Sequence, residues 1–275
     1  MTAWFVVGCG YTGTELVRAL VGRGAEVTLT RRDAAAAAAL GASLGARGVR
    51  ADLADAASLV VPAGAIVVCL APPGGDPAGE IAGLVAAARR AARIVYVSST
   101  GVYAPGGGAW VDETWPIAPI TGSGRARVAA EAALAAGEVP WVSLRAAGIY
   151  GPGRGLVDRI RAGTYRVVGD GTSHVSRIHV ADLVAAIVAA GQAAITGAIN
   201  VADDDPAPIG VVADRVAARL GRPAPPRVPA DSVPLEVSGM LTADRRIANR
   251  RLRDELGVVL RYPSWRDALD AEPAV

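Results

Sequence analysis

The chain has 275 residues and a net charge of only +2, so it can bury one large core or two small ones. It lacks the concentrated basic charge that marks a nucleic-acid or acidic-membrane partner. Every one of the 28 basic residues is arginine, which leaves no amine side chain for proton transfer. The longest uncharged runs, 56–75 and 183–202, are interrupted by Pro62, Pro72 and Pro73 and by Gly191, Gln192 and Gly197, which excludes them as membrane spans. No basic stretch precedes an apolar run near residue 1, so a secretory leader is not expected. Cys9 and Cys69 sit in apolar or glycine-rich strand ends, a pattern that suits a reduced cytoplasmic protein rather than a disulfide scaffold.

In chain order, apolar strand-like segments at 5–7, 26–30, 49–51, 65–70, 93–98 and 141–145 alternate with helix-like segments at 12–21, 34–40, 79–90 and 125–136. Such alternation predicts a doubly wound parallel sheet of the Rossmann type, α/β in class, covered on both faces. The alanine run after Asp33 reads as a helix capped by that carboxylate. After Tyr150-Gly151-Pro152-Gly153 the loops lengthen and prolines cluster. Residues 1–150 are therefore expected to form the cofactor-binding domain, with a helix at 181–190 and a strand at 198–201 returning to it within 178–202. Residues 151–177 and 203–275 are expected to form a small, mostly helical C-terminal lobe.

The first turn carries the sharpest chemistry. Gly8-Cys9-Gly10-Tyr11-Thr12-Gly13 is a Gly-x-Gly-x-x-Gly run between a buried strand and a helix. Gly8 permits the sharp turn, Gly10 lets backbone amides approach a pyrophosphate, and Gly13 lets the helix pack close to the sheet. Tyr11 and Thr12 open that helix, whose free N–H groups and dipole face the phosphates. At the end of the second strand, where NAD-binding turns place a carboxylate for the ribose, the chain reads Thr30-Arg31-Arg32. Guanidinium forks suit a 2′-phosphate, which predicts NADP(H) in preference to NAD. The alternative is a solvated arginine pair with Asp33 as the ribose ligand. Asp52 and Leu53 follow the third strand at a point suited to the adenine edge, and Pro72 lies in a rigid turn beside the cofactor. No metal-ligand spacing is present.

Four segments, Val97-Ser98-Ser99-Thr100-Gly101-Val102-Tyr103, Leu144–Gly153, Arg177-Ile178-His179-Val180-Ala181-Asp182-Leu183 and Asn249–Gly257, together resemble the extended and atypical short-chain dehydrogenase/reductase superfamily. The chain is most similar to its NAD(P)-dependent epimerase/dehydratase-like, YeeZ-type branch, and Tyr262–Leu269 fits the same pattern. The resemblance implies that Ser99 polarises the reacting oxygen, that Tyr150 borders the nicotinamide, that Arg177 reaches the substrate, and that His179 supports its segment. For His179 the alternative is a purely structural histidine, and His174 reads as a loop surface residue.

The superfamily's Tyr-x-x-x-Lys pair corresponds here to Ser123 and Arg127. Arginine can still hold ribose, but it cannot release a proton, and serine is a poor acid without a base beside it. Tyr103 is the phenol best placed to replace the missing one, unless it is a packing aromatic under the floor. The loop 104–115 reads either as a mobile lid or as an ordinary solvated loop.

These features imply an NADP(H)-dependent oxidoreductase or epimerase-like enzyme acting on a small carbonyl, alcohol or sugar-like substrate. The alternative is a nicotinamide-cofactor sensor or scaffold without turnover. Helices 79–90 and 125–136 carry small side chains suited either to a homodimer interface or to burial in a monomer.

Overall fold

A computed structural model describes residues 2–271. Seven parallel strands build the central sheet: β1 (Trp4–Val7), β2 (Val27–Arg31), β3 (Arg47–Arg50), β4 (Ile66–Cys69), β5 (Arg93–Ser99), β6 (Trp141–Ala146) and β7 (Gly197–Val201). Their spatial order is β7-β6-β5-β4-β1-β2-β3. The order reverses between β1 and β4, where Val6 pairs with Leu29 on one side and Val68 on the other. In such sheets the strand ends at the reversal form the ligand crevice.

The helices are α1 (Tyr11–Val21), α2 (Ala34–Leu44), α3 (Pro77–Ala87), α4 (Gly122–Ala135), α5 (Leu156–Arg161), α6 (Val180–Gln192), α7 (Ile209–Arg219), α8 (Leu235–Leu241), α9 (Arg250–Asp254) and α10 (Trp265–Ala271). Successive strand residues point to opposite faces. Val6, Val68 and Val95 therefore pack with Leu16 and Leu20 of α1 and Leu183 and Ile187 of α6. Phe5, Val67 and Tyr96 pack on the other face with Ile81 and Leu84 of α3 and Ala130 and Leu134 of α4. Together the two layers confirm the doubly wound sheet.

Helix boundaries follow local chemistry. Asp33 Oδ1 accepts from Ala36 N at 2.7 Å and caps α2 as its sequence suggests. α3 and α4 start earlier than apolar periodicity indicates. Asp76 accepts from Gly79 N at 3.0 Å with Pro77 opening α3, and Thr121 accepts from Gly124 N at 3.1 Å ahead of α4. α2 runs four residues past the predicted end, because Gly41 and Gly48 let it lie against β3. A Cβ on Gly48 would sit 1.8 Å from Ala37 O.

A separate cluster of Ile160, Tyr165, Val167, Ile209, Val212 and Trp265 fills the region after residue 150. This region holds more strand than its proline content suggests. Gly148–Tyr150 pairs with Arg177–His179, His174–Val175 with Ala207–Pro208, and Val167–Val168 with Arg227–Val228. Among the described residues no helix is long and apolar enough to cross a membrane, and no cluster of residues is arranged to hold a metal ion.

Candidate active site

A cleft of about 870 Å³ opens at the C-terminal ends of β1, β4, β5 and β6. Its floor begins at the glycine turn. Gly8 has φ +80°, and a Cβ there would lie 2.6 Å from Ala71 N, so both conformation and space require glycine. A Cβ on Gly13 would press on Cys9 Sγ at 3.1 Å and Leu70 at 3.2 Å. Gly10, by contrast, faces open space, with no atom within 4 Å of where a Cβ would be. No side chain caps α1, so the first-turn amides of Tyr11, Thr12 and Gly13 remain available at the cleft. An open glycine cradle beneath uncapped amides fits a pyrophosphate.

The residues after β2 brace this turn. Thr30 Oγ1 accepts from Gly8 N at 3.2 Å, and Arg31 Nε donates to Cys9 O at 2.9 Å. Arg31 makes no hydrogen bond through its Nη groups, and Arg32 is exposed. Burial pushes the Cys9 thiol up, so it sits there as a neutral filler rather than a nucleophile. Pro72 lines the cleft beside Leu70. Asp52 and Leu53 do not. Leu53 is buried in the Phe5 cluster, and Asp52 Oδ1 is used locally by Ala54 N.

Ser98 and Ser99 end β5 at the cleft floor. Ser99 Oγ accepts from Gly101 N at 3.0 Å, which fixes its rotamer and leaves its proton free to donate. Ser98 Oγ is buried without a partner. Sequence reading missed Ser98, whose only signal is adjacency to Ser99. Ser123 and Arg127 stand on α4 and both line the cleft. Arg127 Nη1 donates to Val97 O at 2.7 Å, tying it to β5. Ser123 Oγ donates to Glu236 Oε2 at 2.6 Å, so its proton is committed to a carboxylate from α8. That carboxylate also accepts from Gly122 N at 2.5 Å and is held below the usual range, first by Ser123.

Tyr103 is not at the cleft. It is fully buried, donates to Asn200 Oδ1 at 2.7 Å and accepts from Arg145 Nη1 at 3.0 Å. Arg145 in turn pairs with Glu131 at 2.6 Å, and its guanidinium lies 4.9 Å from the Tyr103 ring centroid. Burial, eased by Arg145, pushes the phenol up to about 12. This network makes Tyr103 a packing aromatic and removes it as a proton donor. The loop 104–115 is pinned as well. Trp110–Val111 pairs with Arg246–Ile247, and Glu113 Oε1 accepts from Asn200 N at 2.8 Å. No residue of that loop lines the cleft, so it is not a lid over the site.

The opposite wall comes from the region after residue 150. Tyr150, Arg154, Arg159, Tyr165 and Arg177 line it, with Met240 and Leu241 of α8 above. Arg154 lies over the Tyr11 ring, 5.3 Å from its centroid. Burial raises the Tyr150 phenol well above its ordinary value. His174, expected on the surface, instead lines the cleft, with Nδ1 2.8 Å from Asp244 Oδ1 and Nε2 3.1 Å from Arg246. His179 packs between Tyr150 and Tyr262, and its Nδ1 accepts from Ala181 N at 3.2 Å, capping α6. Burial lowers its pKa, which keeps it neutral and structural.

A doubly wound sheet with a glycine turn and an uncapped helix at its switch point defines a dinucleotide-binding protein. The chain belongs to the NAD(P)H-binding family, whose model matches residues 8–190, within the epimerase/dehydratase branch of the short-chain dehydrogenase/reductases. It is 36% identical over 207 residues to a 3-diazoavenalumate denitrifying reductase of a Streptomyces species, covering 69% of this chain and 68% of that protein. It is 34% identical over 204 residues to Protein YeeZ of Escherichia coli K12, covering 68% and 72%. The human epimerase family protein SDR39U1 with NADPH shares the fold, at a TM-score of 0.80, 23% identity and 98% coverage of both chains.

Proposed function

We propose that the chain is an NADP(H)-dependent oxidoreductase that works without a Tyr-x-x-x-Lys proton relay. One arrangement carries this reading: the braced glycine turn shares a single cleft with Ser99 and Arg127. Bound at this cleft, the cofactor would supply or accept a hydride. The amides of Tyr11, Thr12 and Gly13 would hold its pyrophosphate, with Thr30 and Arg31 keeping the turn in shape. The free Nη groups of Arg31, with Arg32 beside it, would meet a 2′-phosphate, which favours NADP(H) while leaving NAD usable. Arg127 would hold the nicotinamide ribose, and Tyr150 would border the ring. Ser99 would donate a hydrogen bond to the reacting oxygen of a small carbonyl, alcohol or sugar-like substrate, and Arg177 would contact the rest of it.

The Ser123–Glu236 pair leaves no phenol–lysine proton path, so the final proton would come from solvent. The Streptomyces relative is named as a reductase, which supports reduction over epimerisation. The free, buried thiols of Cys9 and Cys69 support a cytoplasmic location. The adjoining helices α3 and α4 remain our candidate homodimer face, to be tested by sedimentation against the 27.8 kDa monomer.

A second reading, cofactor binding without turnover, rests on the same commitment of Ser123 to Glu236. Stopped-flow absorbance at the NADPH band, with a panel of carbonyl compounds and sugar nucleotides, separates the two. Oxidation of NADPH by at least one compound is expected. No oxidation by any, with NADP⁺ and NADPH binding at different affinities, would install the sensor reading instead.

A further inference from the structure

The cleft and a second cavity of about 350 Å³ share Tyr150, Arg154, Gly155, Leu156 and Arg177 as lining residues. Beyond this boundary the second cavity is walled mainly by apolar side chains, among them Val212, Val216, Trp265 and Leu269, with the Asp158–Arg161 pair also lining it. Three buried polar atoms near the boundary have no hydrogen-bond partner: Tyr150 Oη, Tyr165 Oη and Arg177 Nη2. Buried donors are normally satisfied, so a cluster of unsatisfied ones needs an explanation.

Arg177 is the centre of the cluster. It is 5% exposed, and its Nη1 donates to Val175 O at 2.9 Å. Burial lowers its pKa, yet a guanidinium stays charged across the useful pH range. The carboxyl facing it, Asp203, forms no salt bridge with it and is itself 1% exposed with Oδ2 unpartnered. Desolvation pushes the Asp203 carboxyl up, which weakens it as a counter-charge, and the nearby Asp205 is engaged through Oδ2 by Ser264 and Arg266. The cleft adds no counter-charge. Arg127, Arg154, Arg159, Arg177 and Arg245 line it, and no aspartate or glutamate does among the described residues. A buried cation with no salt bridge and an unbonded Nη2 is better satisfied when an anion arrives.

We propose that Arg177 Nη2, with the hydroxyls of Tyr150 and Tyr165, binds the carboxylate of an apolar organic acid whose body lies along Leu156, Val212 and Trp265. This names the substrate class of the reductase proposed above and rests on that reading. One free guanidinium nitrogen and two neutral phenols match a single negative charge. Inorganic phosphate is the competing anion, because Arg154 also lines the boundary and could supply a second cation.

Calorimetric titration of the NADP⁺-saturated full chain at pH 7 tests this with three probes: benzoate, benzamide of the same shape, and inorganic phosphate. Benzoate is expected to bind at least ~10-fold tighter than benzamide, as a charged hydrogen bond requires, and tighter than phosphate. Arg177→Gln should abolish the preference for benzoate over benzamide. Tyr165→Phe, which keeps the ring, should weaken benzoate several-fold with NADP⁺ affinity and melting temperature unchanged. Equal binding of benzoate and benzamide overturns the proposal, as does a preference that survives Arg177→Gln. Phosphate binding tighter than benzoate replaces the acid with a phosphorylated substrate. Benzoate binding as expected, with no NADPH oxidation by any compound, leaves the anion site standing and removes the reductase reading.

Discussion

The two walls of the cleft are built on opposite plans. On the cofactor side, the side chains around the turn are already engaged: Thr30 accepts from Gly8, Arg31 donates to Cys9 O, and Arg127 donates to Val97 O. What remains available there is backbone amide, the Arg31 Nη groups, and the buried, unpartnered Tyr11 Oη and Ser98 Oγ. On the substrate side, Tyr150, Tyr165 and Arg177 hold buried polar atoms with nothing to bond. The first wall is organised around a braced backbone turn. The second stores unsatisfied polarity that a ligand of the right charge would relieve.

This contrast predicts how each wall fails. Gly8→Ala forces a Cβ to within 2.6 Å of Ala71 N at a φ of +80°. It should weaken NADPH binding ~100-fold or more and cost about 1–3 kcal/mol of stability, read by fluorescence titration and denaturant melts. Near-normal binding would mean that the cradle is softer than its geometry indicates. Arg31→Ala should cut the preference for NADPH over NADH about 10- to 100-fold, with NADH affinity little changed. Loss of both cofactors equally would assign Arg31 to turn bracing alone.

Tyr103→Phe tests the boundary between site and scaffold. It strands Arg145 Nη1 and Asn200 Oδ1 and should cost about 1–3 kcal/mol, while NADPH affinity stays within about twofold. A large loss of hydride transfer at full stability would return Tyr103 to the chemistry.

The smallest effect is a pH dependence at Asp203, which faces Arg177, Asp205, Asp204 and Tyr150. Its carboxyl is raised from 3.8 to about 8, so between those values the native state holds a proton that the unfolded chain has lost. Stability from this group is therefore full at low pH and declines as pH climbs through that window. Asp203→Asn should flatten the decline in denaturation measured from about pH 5 to about pH 8. Benzoate affinity should also fall above about pH 8, where ionised Asp203 becomes the counter-charge of Arg177.

Much of the cofactor wall was legible in the sequence because its information is local. The alternation of Phe5, Val6 and Val7 sets the strand, glycines eight to thirteen set the turn, and Asp33 caps the next helix within three residues. The substrate wall and the scaffold beneath the cleft were not, because their logic is long-range. Tyr103 is disarmed by Asn200, 97 residues away, and His174 is drawn inward by Asp244, 70 residues away. The paired segments after residue 150 are two or three residues long, too short for any periodicity to register. Arg177 was flagged by resemblance, but its missing counter-ion exists only in three dimensions.

The arginine-only lining of the cleft carries one more consequence. A lysine beside a bound aldehyde, ketone or activated acyl group can capture it as an imine or an amide. Guanidinium groups, protonated at every physiological pH, do neither. The five arginines at the cleft therefore give it a positive field without a nucleophilic amine side chain. A strongly electrophilic substrate can be held there by charge without arginine becoming its covalent trap.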